Sequence, residues 1–210
     1  CFPNAKLYDP FGQSEMSPVT TCLLPEDSIR KNMSVGKPIA NVEVRVVDEQ
    51  MNDVPLGEVG EIVYRGPTLM KEYYKNPEAT EEAFRGGWFH SGDLVRMDDE
   101  GFIYVVDRKK DMIISGGENI YPVEIENILY GHQDIQECAV IGVPDETWGE
   151  VVKAIVAKKE GAELTAQEVI AYCQERMASY KKPKIVEFVD ALPRNAAGKI
   201  LKKALRANVE

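Results

Sequence analysis

The sequence predicts an α+β fold in two parts: a β-rich, small β-barrel-like subdomain, then a compact α+β domain built on a small sheet flanked by helices. Three observations carry this. Up to about residue 107, short apolar runs with period-two alternation lie between Gly- and Pro-bearing turns. After residue 111, β-branched strands alternate with helix-period segments. Between them, Asp107-Arg108-Lys109-Lys110-Asp111 sets five charges in a row between two apolar runs, and five adjacent charges cannot all be buried. The boundary is drawn there, giving residues 1–109 and 110–210. An exposed linker and a functional hinge both fit that stretch.

The elements follow in order. Val42-Glu43-Val44-Arg45-Val46 alternates as a half-buried strand, and Asn52-Asp53 and Pro55-Leu56-Gly57 supply turn chemistry. Glu61-Ile62-Val63-Tyr64 is a second strand, stopped by Gly66-Pro67. Residues 77–84 read as a short helix with Pro77 in its first turn and Gly86-Gly87 beyond it. Phe102 to Val106 is another strand, and the set suggests a small barrel or sandwich. In the second part, residues 122–129 form a helix opened by Pro122 and followed by Gly131. Cys138–Val143 and Val151–Ala157 are β-branched strands. Thr165-Ala166-Gln167-Glu168 is a capping box opening a helix to about Ala178. Residues 184–189 are a strand, and Ile200 to Arg206 a final amphipathic helix.

The 210 residues carry 25 basic and 35 acidic side chains, a net charge of −10, with 44% hydrophobic residues. That composition describes a globular chain with a core and excludes a disordered or collagen-like one. No apolar run approaches the roughly 20 residues of a membrane-spanning helix, and the acidity argues against nucleic acid as partner. Cys1, Cys22, Cys138 and Cys173 show no C-x-x-C spacing and read as free thiols of a cytoplasmic protein. The charge is uneven: residues 181–210 hold eight basic and three acidic side chains, a net +5. Such a tail is either a solvated helix face or a site for a small polyanion.

Four segments can carry chemistry. In Phe11-Gly12-Gln13-Ser14-Glu15, a Gly permits close backbone approach, and Ser14 and Glu15 offer a hydroxyl and a carboxylate suited to a hard cation. In Trp88-Phe89-His90-Ser91-Gly92-Asp93, a loop carboxylate after Gly either receives ribose hydroxyls or caps its own turn. Ser115-Gly116-Gly117-Glu118-Asn119 is a Gly-rich loop without P-loop or dinucleotide spacing. Pro193-Arg194-Asn195-Ala196-Ala197-Gly198-Lys199 sets a lysine in a Gly-containing loop, a point charge for phosphate or carboxylate or a plain surface lysine.

Each segment is weak alone. Together, in this order and with Gly60-Glu61-Ile62-Val63-Tyr64-Arg65-Gly66 and Asp107 to Pro122 between them, they resemble the adenylate-forming enzymes, a superfamily of acyl-CoA synthetases, luciferases and adenylation domains. The likeness covers nearly the whole chain and is nearest in wording to bacterial fatty-acyl-CoA synthetases and their aryl-CoA relatives. It implies a two-step reaction: a carboxylate attacks ATP to give acyl-adenylate and pyrophosphate, then the thiol of coenzyme A displaces AMP. It implies that residues 1–109 end the large AMP-binding domain and 110–210 are the small mobile domain.

The resemblance also implies roles. Glu15 matches a Mg2+-binding carboxylate. Phe11, Gly12 and Ser14 match the adenine and phosphate contacts, with Phe where Tyr is usual and Ser where Thr is usual. Asp93 matches the ribose-binding Asp, and Arg108 an Arg that reaches the nucleotide. Lys199 matches the catalytic lysine of adenylation. Lys110 falls on the hinge. Gly116 and Gly117 match the pantetheine tunnel, and Trp148, Tyr180 and Lys182 match coenzyme A contacts. The expected substrates are a fatty acid, ATP and coenzyme A, with a homodimer kept open as assembly. The superfamily's upstream phosphate loop and most of its acyl pocket have no counterpart in these residues. The chain therefore reads as a piece of a longer ligase, inactive toward ATP by itself. A carrier-loading adenylation domain, an aryl-CoA ligase and a non-enzymatic binding module are the competing readings.

Overall fold

The computed structural model describes residues 4–207, so Cys1 lies outside the described residues. The chain divides between Lys109 and Lys110 into two units.

In the first unit, β1 (Asp9–Gly12), β2 (Val19–Leu23) and β3 (Lys37–Pro38) form a small antiparallel sheet, with one 3-10 turn, Ser14–Met16, between β1 and β2. A four-stranded antiparallel meander follows: β4 (Glu43–Val47), β5 (Gly60–Arg65), β6 (Phe89–Met97) and β7 (Ile103–Arg108). Helix α1 (Pro77–Ala83) interrupts β5 and β6. Asn76 caps it by accepting from the Ala79 N–H at 3.2 Å, and Pro77 sits where no helical donor is lost. Met16, Val46, Ile62, Tyr64, Phe89, Val95 and Ile103 close the core. Among the described residues the sheets stay open and no barrel closes, while the α+β class holds.

The second unit is a layered α+β domain. β8 (Ile113–Ser115) and β9 (Glu118–Ile120) make a tight hairpin leading into α2 (Pro122–Tyr130). β10 (Ile135–Asp145) and β11 (Gly149–Lys158) form the long central hairpin, α3 (Ala166–Gln174) crosses over, and β12 (Ile185–Val189) returns parallel to β11. Helix α4 (Lys202–Ala207) ends the described chain. Period-two alternation splits β10 between two cores. Cys138 and Val140 face Ile125, Leu129, Val169 and Cys173, whereas Ala139, Ile141 and Val143 face Leu192 and Leu205.

Two helix ends differ from the sequence reading. α3 stops at Gln174, where the Arg176 N–H bonds three residues back to the Cys173 carbonyl at 3.0 Å and tightens the last turn to a 3-10 step, while the Arg176 guanidinium donates to the Tyr172 carbonyl at 3.0 Å. α4 starts at Lys202 because Ile200 is tied in a β-bridge to Arg194. The capping box is present: Thr165 and Glu168 satisfy each other's backbone N–H groups. Half the basic tail braces the domain instead of forming one anion site: Lys181 pairs with Glu124, Lys202 with Glu126, Arg194 with Glu137 and Arg206 with Asp111. Among the described residues no helix is long and apolar enough to cross a membrane.

Candidate active site

The nucleotide candidates of the first unit gather around a break in the β5–β6 ladder. Glu61 pairs with Leu94 and Val63 with His90, so three residues of β6, Ser91-Gly92-Asp93, stand opposite Ile62 alone. This stretch, expected as a loop, is strand carrying a bulge. Side chains replace the lost ladder bonds. The Ser91 hydroxyl donates to the Ile62 carbonyl at 2.6 Å and accepts from the Asp93 N–H at 2.9 Å. The Gly92 N–H donates to Glu61 Oε1 at 3.1 Å, with Gly92 at φ +72°, a conformation open to glycine.

The bulge sets the Asp93 carboxylate beside Arg108, which is in register on β7, with Oδ1 2.7 Å from Nε. Asp93 is 4% exposed, while the Arg108 side chain is about half exposed. Burial pushes the Asp93 carboxyl above the usual carboxylate range; Arg108 opposes the shift, and Glu61 and Glu15 add to it. Burial first, then the neighbouring Asp93 charge, hold the Tyr64 phenol up near about 12, against the opposing Thr20 hydrogen bond. Thr20 links this cluster to the first sheet: its hydroxyl donates to the Phe11 carbonyl at 3.0 Å and lies 3.5 Å from the Tyr64 hydroxyl. Gly12 has no room for a side chain, since a Cβ there would fall 2.0 Å from the Pro18 carbonyl oxygen. Glu15 is partly buried, and its Oε1 accepts from the Tyr73 hydroxyl at 3.0 Å. Ser14 is exposed beside it.

Phe11, Gly12, Glu15, Asp93 and Arg108 thus belong to one connected region. Tyr64, Glu61, His90 and Tyr73, which support it, were not singled out in the sequence. The one available signal was Glu61 itself, a charge opening an otherwise apolar strand. Among the described residues no cluster of three or more His, Cys, Asp or Glu could hold a metal. The expectation of Mg2+ at Glu15 thus rests on one carboxylate, and a Mg2+ bound through one carboxylate takes most of its ligands from water and substrate phosphate.

The second unit carries two separate candidates. Gly116 and Gly117 form the β8–β9 turn at φ +60° and +85°. Gly116 lies under the half-exposed Trp148 indole: its N–H donates to the Trp148 carbonyl at 2.9 Å, and a Cβ would fall 2.6 Å from Trp148 Cε3. The Lys184 ammonium sits 4.6 Å from the centre of the Trp148 ring system, a cation–π contact. Lys181, between half-exposed Tyr180 and the partly exposed Lys182, is tied to Glu124 on α2. Lys182 Nζ rests on the Ser179 hydroxyl at 3.1 Å.

Lys199 lies on a different loop with different partners. It is exposed, and among the described residues it has no ion pair. Its loop is preset. The Asn195 side-chain oxygen accepts from the Ala197 and Lys199 N–H groups at 3.0 and 2.9 Å. Arg194 donates to the Gly198 carbonyl at 2.6 Å and pairs with Glu137. Glu137 also accepts from the Leu192 N–H at 3.0 Å, and these bonds hold its carboxyl below the usual range.

Comparison with known proteins fits this layout. The family model described as AMP-binding enzyme matches residues 1–74, and that described as AMP-binding enzyme C-terminal domain matches residues 124–199. The chain is 50% identical over 196 residues to a feruloyl-CoA synthase of Amycolatopsis sp, covering 93% of this chain and 40% of that protein. It is 46% identical over 203 residues to the long-chain-fatty-acid–CoA ligase FadD13 of Mycobacterium tuberculosis, covering 97% and 40%. Among solved structures, it superposes with a TM-score of 0.88 and 39% identity on the o-succinylbenzoate CoA synthetase MenE of Bacillus subtilis, in complex with its acyl-adenylate intermediate, covering 96% of this chain and 41% of that one. The chain thus spans about 40% of the length of the curated relatives it matches. Matched at both ends by family models and along nearly its full length by these relatives, the chain belongs to the adenylate-forming superfamily of AMP-binding enzymes.

Proposed function

We propose that the whole protein is an acid–thiol ligase that makes an acyl-CoA from a carboxylic acid, ATP and coenzyme A. The observation that carries this reading is the buried Asp93 carboxylate held by Arg108 beside Glu15 and Tyr64. A carboxylate fixed by an Arg on one side keeps an acceptor oxygen for ribose hydroxyls, and a partly exposed guanidinium has donors left for a nucleotide. Phe11 and Gly12 are proposed to pack on adenine, and Ser14 to meet phosphate. Glu15 would hold Mg2+, which neutralises phosphate charge when bound.

In the first half-reaction a substrate carboxylate oxygen bonds to the α-phosphorus of ATP, and the bond to pyrophosphate breaks. Negative charge collects on the transferring oxygens, and Lys199 is proposed to stabilise it there. In the second, the thiol sulfur of coenzyme A bonds to the acyl carbon, gives up its proton, and AMP leaves. Gly116, Gly117 and Trp148 are proposed to line the pantetheine path, with Tyr180 and Lys182 on the nucleotide end of coenzyme A. Lys110 is the proposed pivot about which the second unit changes pose between the steps.

A fatty acid is the first reading of the acid, from the motif resemblance. An aryl acid is the second, favoured by the 50% identity to a feruloyl-CoA synthase. Acyl-CoA formation by the whole protein with a medium-chain fatty acid against ferulate separates them. The test of the mechanism is Lys199→Ala in the whole protein. It should abolish ATP–pyrophosphate exchange and largely spare thioester formation from supplied acyl-adenylate; equal loss of both refutes the assigned role.

A further inference from the structure

Glu61 is 6% exposed and uses both carboxylate oxygens. Oε1 accepts from the Gly92 N–H at 3.1 Å, in the middle of the bulge that carries Asp93. Oε2 is shared: Lys109 Nζ lies 3.2 Å away and His90 Nδ1 3.1 Å away. The other His90 nitrogen lies 3.2 Å from the Arg85 carbonyl, so the imidazole is clamped between strand and turn. Burial alone would push the Glu61 carboxyl up, yet His90 and Lys109 bring it below its ordinary value. A buried carboxylate whose partners are a backbone N–H, an ammonium and an imidazole nitrogen is held in place, since losing a partner leaves buried charge less well compensated.

We infer that Glu61 is a positioning residue that holds two things with one carboxylate: the bulge that aims Asp93, and Lys109, the last residue before the joint at Lys110. The Gly92 N–H would have no ladder acceptor without Oε1, and an unfixed bulge lets Asp93 swing away from Arg108. Lys109 ends the first unit, and its tie to Oε2 fixes the backbone from which Lys110 departs. That Asp93 meets a nucleotide rests on the function proposed above; the bracing itself does not.

The test uses Glu61→Met, which removes both acceptor oxygens, Lys109→Met and the double variant of this chain, read by amide hydrogen exchange. Glu61→Met should speed exchange about tenfold over residues 90–94 and 107–111, leaving β10 and α2 unchanged. Lys109→Met should speed only residues 107–111, and the double variant should match Glu61→Met alone. Additive effects, or wild-type exchange in either stretch of Glu61→Met, overturn the inference. If Glu61→Met does not fold, unchanged exchange over 107–111 in Lys109→Met does the same. In the whole protein, Glu61→Met should raise the KM for ATP in ATP–pyrophosphate exchange about tenfold, and an unmoved KM overturns the positioning role. A wild-type protein without that exchange activity sinks the proposed function and leaves the hydrogen-exchange result standing.

Discussion

Asp93 Oδ1 and Arg108 Nε meet at 2.7 Å across a residue pair in register between β6 and β7, with the acid buried and the base half exposed. The asymmetry matters. The carboxylate has lost its water and the guanidinium has not, so the pair leaves Asp93 with a carboxyl raised by burial.

The first prediction concerns stability against pH. A carboxyl whose pKa is higher in the folded than in the unfolded chain favours the fold at acid pH. That contribution is lost as pH rises through the folded value. Asp93→Asn removes the charge and the slope. The variant should therefore unfold at higher urea than the parent at neutral pH, with the gap narrowing as pH falls through the carboxylate range. Equilibrium urea unfolding at several pH values measures this, and a variant weaker than the parent at every pH contradicts it. A residue kept against stability is what a binding site does.

The thiols give a second prediction. Burial raises the Cys138 thiol to about 12 and the Cys173 thiol to about 11, and both are buried in the α2–α3 core, whereas Cys22 on β2 is only partly covered. Thiolate is the reactive form. In a Cys1→Ser background, native protein at mildly alkaline pH should label at Cys22 first. Cys138 and Cys173 should react at least about 100-fold more slowly until urea unfolds the chain. Peptide mass mapping of the adducts decides, and prompt labelling of Cys138 would mean that its core opens readily.

Local chemistry was legible in the sequence where neighbours alone determine it. Val42 to Val46 alternates and becomes β4, Pro77 and Pro122 open helices, and Thr165 with Glu168 closes a capping box. The Asp93 segment was not, because Ser91-Gly92-Asp93 has the composition of a turn and only Glu61 and Ile62, about thirty residues earlier, keep it in the ladder. Gly116-Gly117 reads as a Gly-rich loop, and the pairing of β8 with β9 makes it the turn of a two-strand hairpin under Trp148. The short first sheet also went unread, since β3 has only two residues and its pairing with β2 is entirely non-local. Glu61 and Glu137 bond groups far along the chain, which spacing does not reveal, whereas Asn195 bonds the N–H groups two and four residues on.

The two glycines of that hairpin separate strain from collision, which gives the third prediction. Gly117 sits at φ +85° with open space around it, so Gly117→Ala should cost about 1 kcal/mol for the left-handed backbone alone. Gly116 at φ +60° has the Trp148 ring where a methyl would go. Gly116→Ala should cost roughly 1–3 kcal/mol and displace the indole. In a Trp88→Phe background, the emission of Trp148 should shift in Gly116→Ala and stay put in Gly117→Ala, with urea midpoints falling in the same order. Equal effects at both positions would mean that the ring does not rest on Gly116.

The last prediction concerns Asn195. One carboxamide oxygen accepts the N–H groups of Ala197 and of Lys199 itself, and so fixes the backbone that carries the candidate catalytic ammonium. Lys199 is exposed and gains nothing from packing. Its position therefore depends on this turn and on the Arg194–Glu137 pair at its base. Asn195→Ala frees two exposed donors to bind water, so it should cost the fold at most about 1 kcal/mol. The ammonium then has to be placed at each turnover, and about 1.4 kcal/mol of lost placement corresponds to a tenfold slower step. In the whole protein, ATP–pyrophosphate exchange should fall about tenfold while thioester formation from supplied acyl-adenylate stays near the parent rate. Asn195→Asp keeps the acceptor and should recover most of the exchange rate. A loss shared equally by the two half-reactions, or an Asp variant no better than Ala, would show that the carboxamide supports the domain and does not position Lys199.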